Sequence, residues 1–334
     1  MACDLFDHPA WPALLQAREL VRTGADRVVL AARGDAWSAC DVPPPAADQV
    51  LVAHARTQPD ATVAAGAKRH SVLAWRPGAV PTVAHPTGSP CDPAALALAR
   101  VYAPVLLGAA AARARREVFV AGHITQSLDG RIACANGQSQ WIGNLADRHH
   151  AHRMRALCDA VMVGARTALV DDPQLTVRHV VGPQPLRVVV SGSARVLAAR
   201  PPLRLFEAPG CLVLVAAANA PANAPADVRV VPVASEGCEL QPAAIRRVLA
   251  ERGVHSVYLE GGAATLSSFL GAGAVDLLQV HVAPLVLGSG LAGVQLPTIE
   301  HVAHGIPFAM DHAALDGDML LSCWPKTPPG AGTP

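Results

Sequence analysis

The sequence predicts an α/β protein in which a mostly parallel sheet is flanked by helices. From residue 117 onward, short apolar segments of strand length alternate with segments in which apolar residues recur at helical spacing. This alternation is typical of a parallel sheet covered by helices on both faces. Hydrophobic residues make up 51% of the 334-residue chain, so a large core can be buried.

A small α/β region is predicted for residues 1–114, before the alternating pattern begins. Its predicted elements are a helix at Trp11–Thr23, strands at Arg27–Ala32 and Gln49–Ala53, and a helix at Pro93–Leu107. Pro104 is expected to interrupt the last helix, because proline lacks a backbone donor and clashes with the preceding turn. The stretch Pro77–Pro93 is crowded with Pro, Gly and Thr and is predicted to be a loop.

Residues 115–325 are predicted to form the main domain, and residues 326–334 a disordered tail. Strands are predicted at Val118–Ile124, Asp159–Val163, Arg187–Ser191, Cys211–Ala216, Val228–Val233, Ser256–Glu260 and Gln279–Pro284, and helices at Leu145–Leu157, Gln241–Arg252 and Ala263–Gly271. Asn144 is a suitable N-cap, and Gly253 suits the left-handed position that closes many helices. The low-complexity stretch Ala217–Asp227 is predicted to be a loop.

The charge and the cysteine pattern argue against several classes of protein. The formal net charge is +1, so no global field favours nucleic acid or an anionic membrane. No apolar run is expected to reach the roughly 18–20 residues that span a bilayer, since the longest, Val101–Ala112, contains Pro104. The N-terminus carries acidic residues where a signal peptide is basic and then apolar, so a cytoplasmic location is expected. The eight cysteines include no Cys-x-x-Cys pair, and neither zinc nor disulfides are expected.

Two glycine turns follow predicted strands and are candidates for phosphate binding. The first is Gly164–Thr167, and the second is Glu260–Gly262. Glycine lets backbone amides approach a phosphate, and the N-terminus of the following helix favours negative charge. The alternative is that each glycine serves only the shape of its turn. Neither turn is the G-x-G-x-x-G fingerprint, so an ordinary Rossmann dehydrogenase is disfavoured.

Several charged residues near these turns each have two interpretations. Glu260, at the end of an apolar strand, could orient or protonate a substrate, or it could only accept bonds from backbone amides. Asp171 and Asp172 precede a proline and could form no more than an Asx turn, with Arg178 as a solvated surface residue.

The helix predicted at Leu145–Leu157 is rich in basic residues and histidines. Of Arg153 and Arg155, only one is expected to face a site, because residues two apart on a helix point in different directions. His149 and His152 could share a face, but no carboxylate or cysteine pattern completes a metal site. A solvated helix face without a metal is therefore predicted for them.

Five segments occur in an order and spacing that chance does not explain. They are SLDGRIA from Ser127, the pair Trp141-Ile142, HRMRALCDAVMVGARTALVDDPQLTVR from His152, LEGG from Leu259, and VHVAPLVLGSG from Val280. Together they resemble the reductase (C-terminal) domain of the bifunctional deaminase/reductase of riboflavin biosynthesis, a RibD-type pyrimidine reductase whose fold is similar to dihydrofolate reductase. The resemblance covers Glu117–Trp324, about two thirds of the chain.

The resemblance implies an activity, a cofactor and a set of site residues. The implied reaction is NADPH-dependent reduction of the ribose of a 5-amino-6-(5-phosphoribosylamino)uracil-type substrate to a ribityl group, in a homodimer. The substrate phosphate is assigned to Ser139, Arg155 and Arg178, with Thr176 as a further substrate-binding residue. Asp171, beside the sugar chain, and Glu260, near the base and the nicotinamide, are the expected catalytic residues. The cofactor is assigned to Gly164, Thr167, Gly261 and Gly262, and the loop over the active site to Asp129 and Gly130.

Two cofactor positions depart from the family pattern. His123 stands where the family often has lysine, and Gly143 stands where threonine often follows Trp-Ile. These changes bear on cofactor affinity and on the choice between NADPH and NADH. Arg166 is expected to compensate by contacting the adenosine 2′-phosphate of the cofactor.

The N-terminal segment departs further, because the corresponding half of the bifunctional enzyme is a zinc deaminase. Residues 1–114 contain neither H-x-E nor P-C-x-x-C, and the nearest approach, Ser89–Cys91, has no second cysteine in place. Neither deaminase activity nor a metal is therefore expected. The segment could brace a dimer or cover the reductase site.

Two other functions stay open at this point. One is a reductase of the same fold that acts on another heterocycle, such as a pteridine or a flavin-like specialised metabolite. The other is a degenerate nucleotide-binding protein, which His123 and Gly143 would favour and the retained Asp171 and Glu260 oppose.

Overall fold

The computed structural model describes residues 8–25, 27–33, 36–40, 49–54, 69–75, 78–84, 91–222, 228–235 and 237–326. The helices are α1 (Ala10–Arg22), α2 (Pro93–Arg115), α3 (Leu145–Leu157), α4 (Ala165–Asp171), α5 (Pro242–Ala250) and α6 (Ala263–Gly271). The first strands are β1 (Arg27–Arg33), β2 (Ala36–Ala39), β3 (Gln49–His54), β4 (Arg69–Ala74) and β5 (Thr82–Ala84). The others are β6 (Phe119–Ser127), β7 (Arg131–Ala133), β8 (Ala160–Gly164), β9 (Leu186–Val190), β10 (Cys211–Ala216), β11 (Val228–Val233), β12 (Ser256–Glu260), β13 (Leu277–Ala283), β14 (Leu291–Ala292), β15 (Phe308–Leu315) and β16 (Asp318–Pro325).

The main sheet has nine strands in the order β11-β10-β9-β8-β12-β6-β13-β16-β15. The first seven strands in this order run parallel, and β16 and β15 close one side as an antiparallel hairpin. The predicted α/β class with a mostly parallel sheet is confirmed. Each strand predicted between residues 117 and 284 is present within a few residues of its expected bounds.

The hairpin of β15 and β16 is an element that the sequence analysis did not predict. β15 lies at the edge of the sheet, and its residues alternate between partly buried and exposed, whereas a strand with one face in the core alternates between fully buried and exposed. The local signal was the pair Asp316-Gly317, since both residues have positive φ and connect Leu315 directly to Asp318. Such an Asp-Gly pair is the usual mark of a tight hairpin.

Helices cover both faces of the main sheet. On one face, α5 and α6 bury apolar residues such as Ile245 and Phe269 against Leu259 of β12. On the other face, α1, α2 and α3 form one apolar cluster with the inward side chains of the strands, of which Tyr258 is an example. The N-terminal segment therefore supplies much of the layer on this second face.

The N-terminal segment has its own five-stranded sheet, in the order β2-β1-β3-β4-β5. β1 is antiparallel to both of its neighbours, β3 and β4 are parallel, and β5 is antiparallel to β4. The predicted strands β1 and β3 and the helix α1 are present. β5 lies inside the stretch Pro77–Pro93, which was predicted to be a loop, and much of this stretch is outside the described residues. Residues 223–227 of the predicted loop Ala217–Asp227 and residues 327–334 of the predicted tail are also outside the described residues.

The helix α2 runs unbroken from Pro93 to Arg115, so the expected interruption at Pro104 is wrong. Proline removes only one backbone donor, and burial of 13 of the 23 residues holds the helix together. The expectation that no apolar stretch is long enough to cross a membrane is also wrong, because α2 meets that test of length and composition. Most of that stretch is buried inside the protein, as in the core helix of a globular protein.

Candidate active site

The two glycine turns meet at the carboxyl ends of the neighbouring strands β8 and β12. A Cβ on Gly164 would overlap the Thr265 hydroxyl, and a Cβ on Gly262 would lie 2.7 Å from Thr167 Oγ1. Each turn is thus locked against the helix that follows the other. Gly261 differs from these two in its surroundings, since a Cβ there would meet nothing within 4 Å. Its backbone N–H donates to His123 O at 3.3 Å, so the N-terminus of α6 is the place where an anion can approach.

Glu260 and Arg155 form a two-pronged ion pair beside these turns. Arg155 Nε lies 2.5 Å from Glu260 Oε1, and Nη2 lies 2.7 Å from Oε2. The side chain of Arg155 is only 11% exposed, and that of Glu260 is 17% exposed. Burial alone would lower the pKa of Arg155, but the Glu260 carboxylate outweighs it and raises that pKa. The pair joins α3 to the end of β12.

Arg155 also belongs to a group of side chains with an excess of positive charge. Its Nη1 donates to Thr176 O at 2.9 Å and lies 3.4 Å from His152 Nε2. The backbone N–H of Arg178 donates to His152 Nδ1 at 3.0 Å. Burial, followed by Arg155 and Arg178, lowers the pKa of His152 to about 3, so the ring is neutral at pH 7. Burial and then Arg155 and Arg204 lower the pKa of Arg178, so these guanidinium groups repel one another.

The solvated helix face predicted for His149 and His152 is wrong for His152, whose exposed fraction is 3%. The reason is that the N-terminal helices, which were predicted to belong to a separate region, cover α3. Arg153 points to that layer, with its guanidinium 5.1 Å from the centre of the Trp11 ring. Arg155 is therefore the one of the two arginines that faces the site.

Asp171 and Asp172 take different roles. Asp171 is the exposed last residue of α4, where desolvation raises the pKa of its carboxyl and Arg166 opposes the rise. Asp172 has a positive φ of 40°, and its carboxylate accepts a bond from the backbone N–H of Arg204 at 2.8 Å. Asp172 therefore binds a segment 32 positions away, whereas an Asx turn would have bonded a backbone N–H within its own turn.

Asp129 holds two loops together. Its carboxylate accepts bonds from the Ser127 hydroxyl at 2.5 Å, from Leu287 N at 3.1 Å and from Gly288 N at 2.7 Å. The Ser127 hydrogen bond comes first among the causes that lower the pKa of Asp129 to about 2.

Ser139 lies apart from this contact, in the loop before α3, where its carbonyl accepts from Ile142 N at 3.2 Å.

His123 and Gly143 meet at a buried carboxylate that the sequence analysis missed. Asp147 Oδ1 lies 3.3 Å from His123 Nε2, and a Cβ on Gly143 would overlap the same carboxylate group. A signal was present in β13, where Gln279 and His281 occupy alternate positions of an apolar strand. Side chains two apart on a strand share a face, so polar residues there indicate buried polar partners.

No group of three or more His, Cys, Asp or Glu side chains could hold a metal ion among the residues that the structure describes. The same part of the chain contains seven cysteines, all free thiols.

The fold and the site define an α/β protein whose ligand site lies at the carboxyl ends of parallel strands. Residues 118–304 match the model of one particular family, the RibD C-terminal domain. The matched region is more than half of the chain, and the chain belongs to this family.

Two curated relatives place the family match in context. The chain is 36% identical over 181 residues to a protein of Methanothermobacter thermautotrophicus named 2,5-diamino-6-ribosylamino-4(3H)-pyrimidinone 5′-phosphate reductase, covering 51% of this chain and 79% of that one. It is 34% identical over 204 residues to the riboflavin biosynthesis protein RibD of Mycobacterium tuberculosis, covering 59% of this chain and 51% of that one. The chain thus spans about half the length of this RibD protein.

Solved structures extend the likeness in fold to the N-terminal segment. The deaminase/reductase of Thermotoga maritima has a TM-score of 0.58 at 23% identity and covers 95% of this chain and 99% of its own. The RibD protein of Acinetobacter baumannii has a TM-score of 0.57 at 23% identity, with 97% and 100% covered. At this identity the likeness concerns the fold alone.

We predict that Glu260→Gln destabilises the protein, because it leaves the Arg155 guanidinium buried without its counter-charge. The expected loss is about 2–3 kcal/mol, below the upper range for a fully buried pair because both side chains keep some exposure. The measurement is the free energy of unfolding from denaturant titration. The matched control is Glu117→Gln, since Glu117 and Arg115 form a pair in which both side chains are more than half exposed. That control should cost less than about 1 kcal/mol, and equal losses would contradict the structural role of the buried pair.

We predict that stability falls as the pH drops below about 6.5. Burial lowers the pKa of His150 and His152 from 6.5 to about 3 in the folded protein. Between these two values the unfolded chain binds more protons, so the free energy of unfolding decreases as the pH falls. Between pH 7 and 5, where most carboxylates do not titrate, His152→Gln should flatten the slope. His301→Gln, at an exposed position, should keep the slope of the unmodified protein; an unchanged slope in His152→Gln would contradict the assignment.

Proposed function

We propose that this protein is a pyrimidine reductase of riboflavin biosynthesis that uses NADPH. Its substrate would be a 5-amino-6-(5-phosphoribosylamino)uracil-type compound, whose ribosyl group becomes ribityl. The family and the similarity to a named pyrimidinone 5′-phosphate reductase support this function. The observation that carries it is the series of contacts from Glu260 through Arg155 and His152 to Arg178, which supports binding of an anionic substrate group beside the two glycine turns.

The fold of the family suggests a nicotinamide cofactor, and the residues present fit one. No neighbouring atom lies within 4 Å of the place that a Cβ on Gly261 would take, and the N-terminus of α6 can receive a phosphate. The turns Gly164–Thr167 and Gly261–Gly262 would hold the pyrophosphate, and Arg166 would hold the 2′-phosphate that distinguishes NADPH from NADH. When bound, NADPH supplies the hydride, while the protein supplies binding and orientation.

The substrate phosphate is proposed to bind at the cluster of Arg155, Arg178 and Arg204. Arg178 is exposed, and its repulsion from Arg155 and Arg204 would be relieved by a phosphate dianion. Thr176 and Arg155 complete this side, although each guanidinium nitrogen of Arg155 already has a partner, Nε and Nη2 on Glu260 and Nη1 on Thr176 O. Ser139 would approach from the loop before α3, and Asp129 would shape the loop over the substrate.

Asp171 and Glu260 are proposed as the catalytic carboxyl groups. Reduction at the first carbon of the ribose breaks its bond to the ring oxygen, and that oxygen then needs a proton. Asp171 has a raised pKa, which suits a carboxyl that holds a proton for transfer. Glu260 is committed to Arg155, so we propose that it accepts hydrogen bonds from the base and orients it.

The remaining parts of the proposal concern the whole molecule. We propose that residues 1–114 are a bracing region and residues 115–325 the reductase domain, in a cytoplasmic homodimer. The brace is supported by α1 and α2, because Trp11 Nε1 donates to Val181 O at 3.0 Å, Arg18 Nε donates to Leu157 O at 2.9 Å and the Tyr102 hydroxyl lies 3.0 Å from His150 Nδ1. These contacts hold α3 and the segment after Arg178 from outside.

The function is tested by NADPH oxidation, followed at 340 nm, with the deaminated phosphoribosylamino-pyrimidine as substrate. We expect turnover that is lost in Asp171→Ala and in Glu260→Ala. Equal turnover of the unphosphorylated compound would favour a reductase of another heterocycle. Binding of NADPH without turnover would point to the same alternative, and absence of both would indicate a degenerate site.

We predict that Arg178→Ala affects the binding of the substrate, whereas Arg166→Ala affects the preference for the cofactor. Each variant is therefore the control for the other. Arg178→Ala should weaken substrate binding about tenfold to a hundredfold, as expected for one lost charge-assisted contact to phosphate, with little effect on NADPH. Arg166→Ala should narrow the preference for NADPH over NADH and leave substrate binding unchanged. Binding constants for each ligand measure both effects. Equal weakening of both ligands by Arg178→Ala would contradict the phosphate assignment.

A further inference from the structure

The helix α3 is attached to the rest of the protein by buried polar side chains as well as by apolar ones. Its buried polar residues are Asp147, His150, His152, Arg153 and Arg155, which are between 1% and 9% exposed. Apolar contacts tolerate small rotations of a helix, whereas hydrogen bonds depend on direction. The hydrogen bonds of these side chains therefore restrict the rotation of α3 on the sheet.

Asp147 is the centre of the contacts in the first turn of α3. The Thr125 hydroxyl donates to Asp147 Oδ2 at 2.7 Å, and Oδ1 lies 3.3 Å from His123 Nε2 and 3.2 Å from His281 Nδ1. Burial opposes ionisation of this carboxyl, but the contacts with His123, His281 and Thr125 hold its pKa well below the ordinary value. The hydrogen bond from Thr125 thus ties α3 to β6, while Oδ1 meets His123 of β6 and His281 of β13 at ion-pair distance and without hydrogen-bond geometry.

A second carboxylate closes these contacts into a ring. His281 is fully buried, and its Nε2 lies 2.6 Å from Asp318 Oδ2 on β16. The same oxygen accepts a bond from Asn144 N at 3.1 Å, and the Asn144 side chain caps α3 by accepting from Asp147 N at 3.0 Å. The ring Asn144–Asp147–His281–Asp318 joins the start of α3 to β13 and β16.

Gly143 leaves the space that this ring needs. A Cβ at position 143 would overlap the Asp147 carboxylate and would lie 2.9 Å from Thr125 Cγ2. His123, the other position at which the chain departs from the family pattern, contacts the same carboxylate. The two departures therefore form a single arrangement around Asp147.

We propose that Asp147 is a positioning residue: its ring with His281 and Asp318 sets the register of α3 and thereby directs Arg155 onto Glu260. Arg155 lies two turns beyond Asp147, about 12 Å along the helix axis. A helix held at its first turn carries that constraint to its last turn, because a helix is stiff over this length. Gly143 and His123 provide the space and a partner for the carboxylate. The use of this register in catalysis rests on the proposed function, but the register itself does not.

The steric part is tested by comparing Gly143→Ala, Asp147→Ala and the double variant in thermal unfolding. Gly143→Ala should lower the unfolding midpoint, and Asp147→Ala should cost much less in the Gly143→Ala background than alone, because the overlap is then gone. The control is Gly271→Ala, where a new Cβ would make only an ordinary contact, 3.5 Å from Leu296 Cδ2. Losses that simply add would overturn the coupling of Gly143 to Asp147.

The positioning part is tested by a second cycle, with Asp147→Ala and Glu260→Gln. If Asp147 directs Arg155, Glu260→Gln should lower the unfolding midpoint less in the Asp147→Ala background. In kinetics, Asp147→Ala should reduce kcat about tenfold to a hundredfold, the usual effect of a small misplacement, with little change in KM for NADPH. In an Arg155→Ala background, the Asp147→Ala substitution should have little further effect on kcat.

The control for general destabilisation is Asp311→Ala, which removes the 2.6 Å ion pair between Asp311 of β15 and Arg100 of α2. This variant should lower the unfolding midpoint and leave kcat unchanged. Additive stability losses for Asp147 and Glu260, or kcat losses that multiply with Arg155→Ala, would overturn the positioning role. If the unmodified protein shows no turnover, the proposed function fails, while the two stability cycles still decide the inference.

Discussion

The buried ion pair between Arg155 and Glu260 is the contact on which the site depends. Two charges that leave water lose their hydration, and only well-aligned partners compensate for that loss. Arg155 meets this requirement with bonds to both carboxylate oxygens and to Thr176 O. The alignment requires a fixed α3, which explains why so many polar side chains of this helix are buried and paired. The neutral His152 beside Arg155 avoids adding a further positive charge to the group that already holds Arg155, Arg178 and Arg204.

The N-terminal segment contacts α3 on the side opposite the strands. The neutral ring of His150 connects Tyr102 of α2 to Gln279 of β13, with distances of 3.0 Å on both sides. α3 is therefore held between two layers, one formed by the strands and one by the N-terminal helices.

Local signals in the sequence were sufficient for the main sheet but not for the contacts that organise the site. The parallel strands, the Asn144 cap and the closure at Gly253 follow from apolar runs and from single residues with strong preferences. Arg155 and Glu260 were both identified, yet their pairing spans 105 positions and leaves no local trace. The same holds for Asn144 and Asp318, which are 174 positions apart. The burial of His152 and the unbroken α2 were missed because both depend on packing between the two parts of the chain.

The helix α2 has a consequence for the order of events during synthesis. It contacts strands of both sheets, which is why it is apolar around most of its surface. Residues 93–115 emerge from the ribosome before any strand of the main sheet, so one side of this helix has no partner until β6 and β12 have been made. The nascent chain must therefore keep an apolar helix in solution while more than a hundred further residues are added. We expect this stage to be the one at which the chain aggregates or binds a chaperone.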